Sequence, residues 1–182
     1  MNTSSKNPRA VLQSFQAETS VASFRHPHIV RTIAASSSDS PLSERIIIME
    51  FAGPRTLQNI LNNELEVIGE DRRMKFASHM TMALEFIHEQ NIAHLDVKPG
   101  NILVDSKDVC KLGDFSCSQL VNKGDENLPV SPTHSYLTGT FAYRAPELLK
   151  GECPTPKADI YSLGICLWQL LTREQPYGWE NI

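Results

Sequence analysis

His94-Leu-Asp-Val-Lys-Pro-Gly-Asn101, followed thirteen residues later by Asp114-Phe-Ser116, is the stretch around which this 182-residue chain is read. Two acids, a lysine and an asparagine at these offsets suit phosphoryl transfer to an alcohol. An alcohol is a weak nucleophile, so a carboxylate must orient its hydroxyl and accept its proton. A cation two residues away steadies the migrating group, where negative charge spreads over the oxygens. An amide oxygen and a second carboxylate can hold Mg²⁺, a hard ion that prefers oxygen ligands. Between the clusters lie Ile102-Leu-Val104 and Val109-Cys-Lys-Leu112, joined by Asp105-Ser-Lys-Asp108. That pattern predicts two short strands and a turn, which fold the clusters back towards one another.

Outward from this centre, residues 11–25 read as a helix with Leu12, Phe15, Ala22 and Phe24 at packed positions and Glu18 as its one internal acid. Residues 29–35 and 45–51 read as strands separated by a serine-rich loop. Ile46-Ile-Ile-Met49 does not alternate, which predicts a strand covered on both faces. A short helix is expected over 57–61. A long one follows over 72–90, where Ala77, Met80, Leu84 and Ile87 recur at three and four residues and the methionines read as core. His79 and His88 have no ligand partner at suitable spacing and read as surface or core-edge residues. Residues 122–134 are polar and loop-like, with Pro129 and Pro132; Ser131, Thr133 and Ser135 are candidate phosphate acceptors there. Residues 160–171 are apolar nearly all round and predict a buried helix.

Composition sets bounds. A hydrophobic fraction of 41% with 21% charged residues suits an ordinary globular domain, and the net charge of −4 gives no reason to expect nucleic acid or an anionic membrane as partner. The four cysteines form no CxxC pair, so reduced thiols in a cytoplasmic protein are expected. No apolar leader or bilayer-length stretch is present.

Four motifs in order carry a family resemblance. HxDxKxxN at His94 to Asn101 and the Asp-Phe pair at Asp114 resemble the catalytic and magnesium loops of eukaryotic protein kinases. Gly139-Thr-Phe-Ala-Tyr-Arg-Ala-Pro-Glu147 resembles the end of their activation segment, and Asp159-Ile-Tyr-Ser-Leu-Gly164 the start of the large C-lobe helix. Lysine two residues after the aspartate is the serine/threonine pattern. Leu95, Asp108-Val-Cys-Lys111 and the wording from Tyr143 to Gly151 resemble the Mos branch. The resemblance runs from about Ser14 onward.

It implies an α+β fold, the two-lobe kinase architecture, here incomplete. Residues 1–182 would be a partial kinase domain: 11–51 the remaining N-lobe helix and strands, 52–182 the hinge, catalytic loop, activation segment and first C-lobe helices. It implies ATP and Mg²⁺ as cofactors. Asp96 would be the proton acceptor, Lys98 the γ-phosphate contact, and Asn101 and Asp114 the metal ligands. Met49 would guard the back of the adenine pocket, with Glu50 and Ala52 offering hinge backbone groups. Glu18, read alone, is a solvated helix acid; followed by His26-Pro-His-Ile-Val30, it takes the family's role of pairing with a strand lysine that holds the α- and β-phosphates. His94 and Asp159 would hold the catalytic loop. The implied partner is a protein substrate, a MAP kinase kinase if the Mos resemblance extends that far, in a cascade of oocyte maturation; the kinase is expected to be monomeric.

Three departures qualify this. Leu95 stands where many kinases carry arginine, which weakens the case for ordering by activation-segment phosphorylation. Ser116 replaces the glycine after Asp-Phe, and serine, unlike glycine, visits positive φ at a cost, so flipping of the loop should be restricted. No GxGxxG or Val-Ala-Ile-Lys occurs, and the last C-lobe helices are not encoded. The chain is therefore expected to be an internal piece of a kinase domain, with turnover belonging to the parent protein rather than to this piece alone. The alternative is a non-catalytic interaction module on the same fold.

Overall fold

The computed structural model describes residues 8–37, 39–41, 44–121 and 140–178. Residues 122–139, where the sequence pattern predicts a loop with candidate phosphate acceptors, lie outside them, Gly139 included. The first helix, α1 (Pro8–Ser20), starts on a proline, whose missing N–H is harmless in a first turn. It ends five residues earlier than the sequence pattern predicts. The Thr19 and Ser20 hydroxyls bond back to the carbonyls of Phe15 and Ala17 at 2.9 and 2.7 Å, competing with the helix ladder. Phe15, Glu18 and Val21 are buried, while Phe24 packs edge-on against Phe86 at 5.3 Å. Of the expected packed positions, Leu12 and Ala22 are only half-buried.

The expected strand over 29–35 divides its work. Val30 N–H donates to Leu112 O and Leu112 N–H to His28 O, both at 2.9 Å, tying this end to the sequence's second half. The far end, β1 (Thr32–Ala35), pairs antiparallel with β2 (Ile47–Met49), Ala35 opposite Ile47. The prediction that 46–49 is covered on both faces is overturned: Ile46 is 61% and Ile48 52% exposed. Among the described residues this sheet has two strands, so neither strand is flanked on both sides.

Next come β3 (Arg55–Thr56) and α2 (Leu57–Asn62), whose start is fixed by a reciprocal cap between Thr56 and Asn59. Helix α3 (Glu70–Glu89) begins at Gly69 with two acids in its first turn, where the helix dipole favours them. It buries Phe76, Met80, Ala83, Leu84 and Ile87. The methionine stripe is not all core: Met74 is 65% exposed, and Met82 is exposed too.

Strand β4 (Ile92–Ala93) precedes the catalytic-type motif, and β5 (Ile102–Val104) and β6 (Cys110–Leu112) follow it as the expected antiparallel pair, Ile102 opposite Leu112. Strand β3 adds to the β5 edge, and β7 (Gln119–Leu120) pairs with β4. Helix α4 (Pro146–Leu149) is a single turn. Helix α5 (Pro156–Thr172) packs on α3 and buries Asp159, Ser162, Leu163, Cys166, Gln169 and Leu170. Its burial is one-sided, not all round: Ile160 is 53% and Leu171 62% exposed. No described helix is long and apolar enough to cross a membrane. The main core joins Leu57 and Ile60 of α2, Phe76, Leu84 and Ile87 of α3, Ile102 and Val104 of β5, and Leu170 of α5.

Candidate functional site

The loop after β4 turns on Leu95, whose φ of 63° is left-handed and unfavourable for a γ-branched residue. Asp159, fully buried in the first turn of α5, holds that conformation. Its Oδ2 accepts from His94 N–H at 2.7 Å and its Oδ1 from Leu95 N–H at 2.8 Å. His88 Nε2 lies 2.9 Å from the same Oδ2, so His88 has a partner that its spacing in the sequence did not disclose. His94 is itself buried; Nε2 donates to Gly113 O at 3.1 Å and Nδ1 accepts from Asp96 N–H at 3.3 Å, which fixes its tautomer.

Asp96 then enters a cluster of donors. Its Oδ2 accepts from Lys98 Nζ at 2.7 Å and Asn101 Nδ2 at 2.8 Å, and its Oδ1 from Thr140 N–H at 3.0 Å. Lys98 Nζ also donates to Thr140 Oγ1 at 2.8 Å. Thr140 thus reaches both groups across more than forty residues of sequence. The Gly-Thr before Tyr143-Arg-Ala-Pro-Glu147 was its only sequence signal. Asn101 closes a short turn, Pro99–Asn101, and both its side-chain bonds use the amide nitrogen, leaving the carbonyl end as a hard oxygen donor.

The two clusters meet through Gly113. Its N–H donates to Asn101 O at 2.9 Å while its carbonyl accepts from His94. Asp114 follows with φ 58° and an exposed side chain, and Phe115 stacks edge-on to His94 at 4.8 Å. The left-handed residue is therefore Asp114. Ser116 lies in the short turn Phe115–Cys117, outside the positive-φ positions, so the serine is unstrained in this conformation. Its hydroxyl donates to Asp114 Oδ1 at 2.6 Å.

Glu18 of α1 faces this turn. Burial, and then the negative charge of Asp114, push its carboxyl from 4.5 up to about 7, against the opposing pull of the Phe115 and Ser116 backbone N–H groups. With 8% of its surface exposed, it is not a solvated helix acid. Glu18 and Asp114 thus stand together, and Asp96, Lys98 and Asn101 form a second group, joined to the first by the bond from Gly113 N–H to Asn101 O. Met49, 37% exposed, ends β2, and Glu50 and buried Ala52 follow it. Glu50 is committed to the fold: its N–H donates to Arg31 O at 2.9 Å, and its Oε1 pairs with Lys111 Nζ at 2.6 Å and accepts from Arg31 N–H. Those bonds depress the Glu50 carboxyl below the usual range despite its desolvation. His79, expected at a surface or core edge, is stacked on His28 at 4.0 Å and accepts from Cys110 N–H.

A protein kinase domain family model matches residues 1–181. The chain belongs to the protein kinase family. Serine/threonine-protein kinase mos of Patiria pectinifera is 53% identical over 97% of the chain, and that of Xenopus laevis 46% identical over 96%. Proto-oncogene serine/threonine-protein kinase mos of Mus musculus is 42% identical over 99%. The kinase chain spans about half the length of these relatives, 50%, 50% and 55%. Among solved structures, the yeast RNA Pol II CTD kinase CTDK-1 complex matches with a TM-score of 0.75 at 22% identity, over 95% of this chain and 53% of that one; the likeness carries the fold alone.

Kinases use ATP and Mg²⁺, and the donor set fits the metal. An amide carbonyl from Asn101 and the exposed carboxylate of Asp114 are hard oxygen ligands, and the Asn101 backbone is bonded to the residue preceding Asp114.

Proposed function

We propose that this chain carries the catalytic centre of a Mos-type serine/threonine protein kinase, which transfers the ATP γ-phosphoryl group to a protein hydroxyl. The observation that carries the reading is the convergence of Lys98, Asn101 and Thr140 on the two oxygens of Asp96. Bound Mg²⁺-ATP supplies the phosphoryl group and neutralises charge on its oxygens. The rest falls to the chain's own side chains. Asp96 orients the incoming hydroxyl and takes its proton as the new O–P bond forms and the bond to ADP breaks. Lys98, 2.7 Å from Asp96, places positive charge beside the oxygens of the migrating group. Thr140 holds both residues in register and marks where a substrate backbone would run. Asn101 and Asp114 would hold the metal, and Glu50 and Ala52 would meet the adenine from the hinge beside Met49. Glu18 would pair with a cationic partner at the phosphates. In the cell we place the parent protein in the cytoplasm, with a MAP kinase kinase as its substrate, a reading that rests on the likeness to Mos proteins.

The test is a phosphotransfer assay on the full-length parent with Asp96→Asn as its partner variant. Loss of the proton acceptor should lower kcat by about 10²–10⁴-fold with little change in nucleotide affinity. Unchanged turnover in the variant would remove Asp96 from this role. ATP binding without transfer by either protein would favour an interaction module on a kinase fold.

A further inference from the structure

We propose that Ser116 is a positioning residue that sets the Asp114 carboxylate for its cation. The inference rests on the metal-binding role proposed above for Asp114. Asp114 projects from a left-handed residue on an exposed turn, where its carboxylate has room to rotate. The surrounding bonds fix the backbone of that turn: Gly113 is held on both sides, by Asn101 and His94, and Phe115 rests on the His94 ring. None of these reaches the carboxylate itself. The Ser116 hydroxyl does, at 2.6 Å from Oδ1.

A glycine at this position has no atom with which to make that bond. A hydroxyl donor occupies one lone pair of Oδ1 and leaves the other, together with Oδ2, directed outward for a metal. The residue also acts in a second direction. Its backbone N–H, with that of Phe115, favours the ionised form of the facing Glu18 carboxyl. The ordinary φ of Ser116 lets it do so without strain. Hydrogen-bond partners of a ligating carboxylate commonly matter 10–100-fold in metal affinity; for an exposed pair we expect about tenfold.

The measurement is Mn²⁺ titration, read by electron paramagnetic resonance, on the full chain with a non-hydrolysable ATP analogue. Parent, Ser116→Ala, Ser116→Thr and Asp114→Asn are compared, so that turnover is not needed. Ser116→Ala should weaken Mn²⁺ binding about tenfold, and Ser116→Thr, which keeps the hydroxyl, should restore it to within about twofold. Equal or tighter binding by Ser116→Ala, with both it and the parent binding better than Asp114→Asn, overturns the proposal and leaves the metal site standing. A threonine variant as weak as the alanine one overturns it too. A parent that binds Mn²⁺ no better than Asp114→Asn removes the metal site and this proposal with it.

Discussion

Replacing Glu18 by glutamine should stabilise the folded chain, increasingly as pH rises from 4.5 to about 7 and fully above that. The carboxyl is buried in α1 against the turn that carries Asp114, and its folded-state value lies near 7 against an ordinary 4.5. Below pH 4.5 it is protonated in both states and contributes no difference. Between 4.5 and about 7 the unfolded chain releases the proton while the folded chain keeps it. The unfolded state then binds fewer protons, so stability falls as pH rises, and the whole cost is present above about 7. At 1.36 kcal/mol per pH unit, the interval is worth about 3 kcal/mol; residual solvent screening near an open turn brings the expectation to roughly 1.5–3 kcal/mol. Glutamine keeps an acceptor oxygen for the Phe115 and Ser116 N–H groups and has no charge to bury. Urea unfolding of Glu18→Gln and parent at pH 5, 6, 7 and 8 would therefore give curves that lie closest at pH 5, diverge through pH 6 and 7, and differ little further at pH 8. A variant equal to or less stable than the parent at pH 8 would refute the reasoning, since it would mean that Glu18 is well paired when ionised.

Two further perturbations probe the scaffold. Asp159→Ala strips the partner from the His94 and Leu95 N–H groups and from His88, and removes the bonds that hold Leu95 at φ 63°. Leaving two inward-facing N–H groups unpaired should cost about 2–5 kcal/mol in denaturant unfolding, and a loss below about 1 kcal/mol would show that water replaces the carboxylate. Gly53→Ala should be equally disruptive: a Cβ there would lie 2.3 Å from Val104 O, on a backbone with φ 149°, so β5 or the segment before β3 must move. A thermal midpoint within about 2 °C of the parent would contradict that geometry, as about 1 kcal/mol already shifts a domain of this size by about 2–4 °C.

What was legible in the sequence was local. Helix α3 shows its 3.6-residue recurrence in the chain itself, and Asp105-Ser-Lys-Asp108 between Ile102-Leu-Val104 and Val109-Cys-Lys-Leu112 announces the β5–β6 hairpin. The distances that build the site are not local. Asp159 meets Leu95 across 64 residues, and Thr140 meets Asp96 across 44, so no spacing rule connects them. Only a family pattern placed them on the same page, and even that left Thr140's bonds to Lys98 and Asp96 unread. The histidines illustrate the same limit. His79 and His88 look alike on one helix, yet one stacks on His28 while the other faces the buried Asp159.

Burial was misread where composition stood in for surroundings. Ile46-Ile-Ile-Met49 has the apolar content of a strand enclosed on two faces, but enclosure is a property of neighbours, and β2 has one paired strand among the described residues. Ile160 and Leu171 fail in the same way on α5. Glu18 is the opposite case: a lone acid on an amphipathic helix looks solvated, only the His26-Pro-His-Ile-Val30 that follows argues for a functional one, and it is 8% exposed. Hydrophobic pattern predicts which face a residue prefers, whereas the cost of placing it is set by what the fold brings opposite. For an apolar side chain left in water that cost is tens of cal/mol per Å², which a fold can tolerate at many positions. For a buried carboxyl placed against another carboxylate it is roughly 1.5–3 kcal/mol at one position. The positions of chemical weight are therefore buried acids such as Glu18 and Asp159, to which the family pattern already points, and not the many exposed isoleucines.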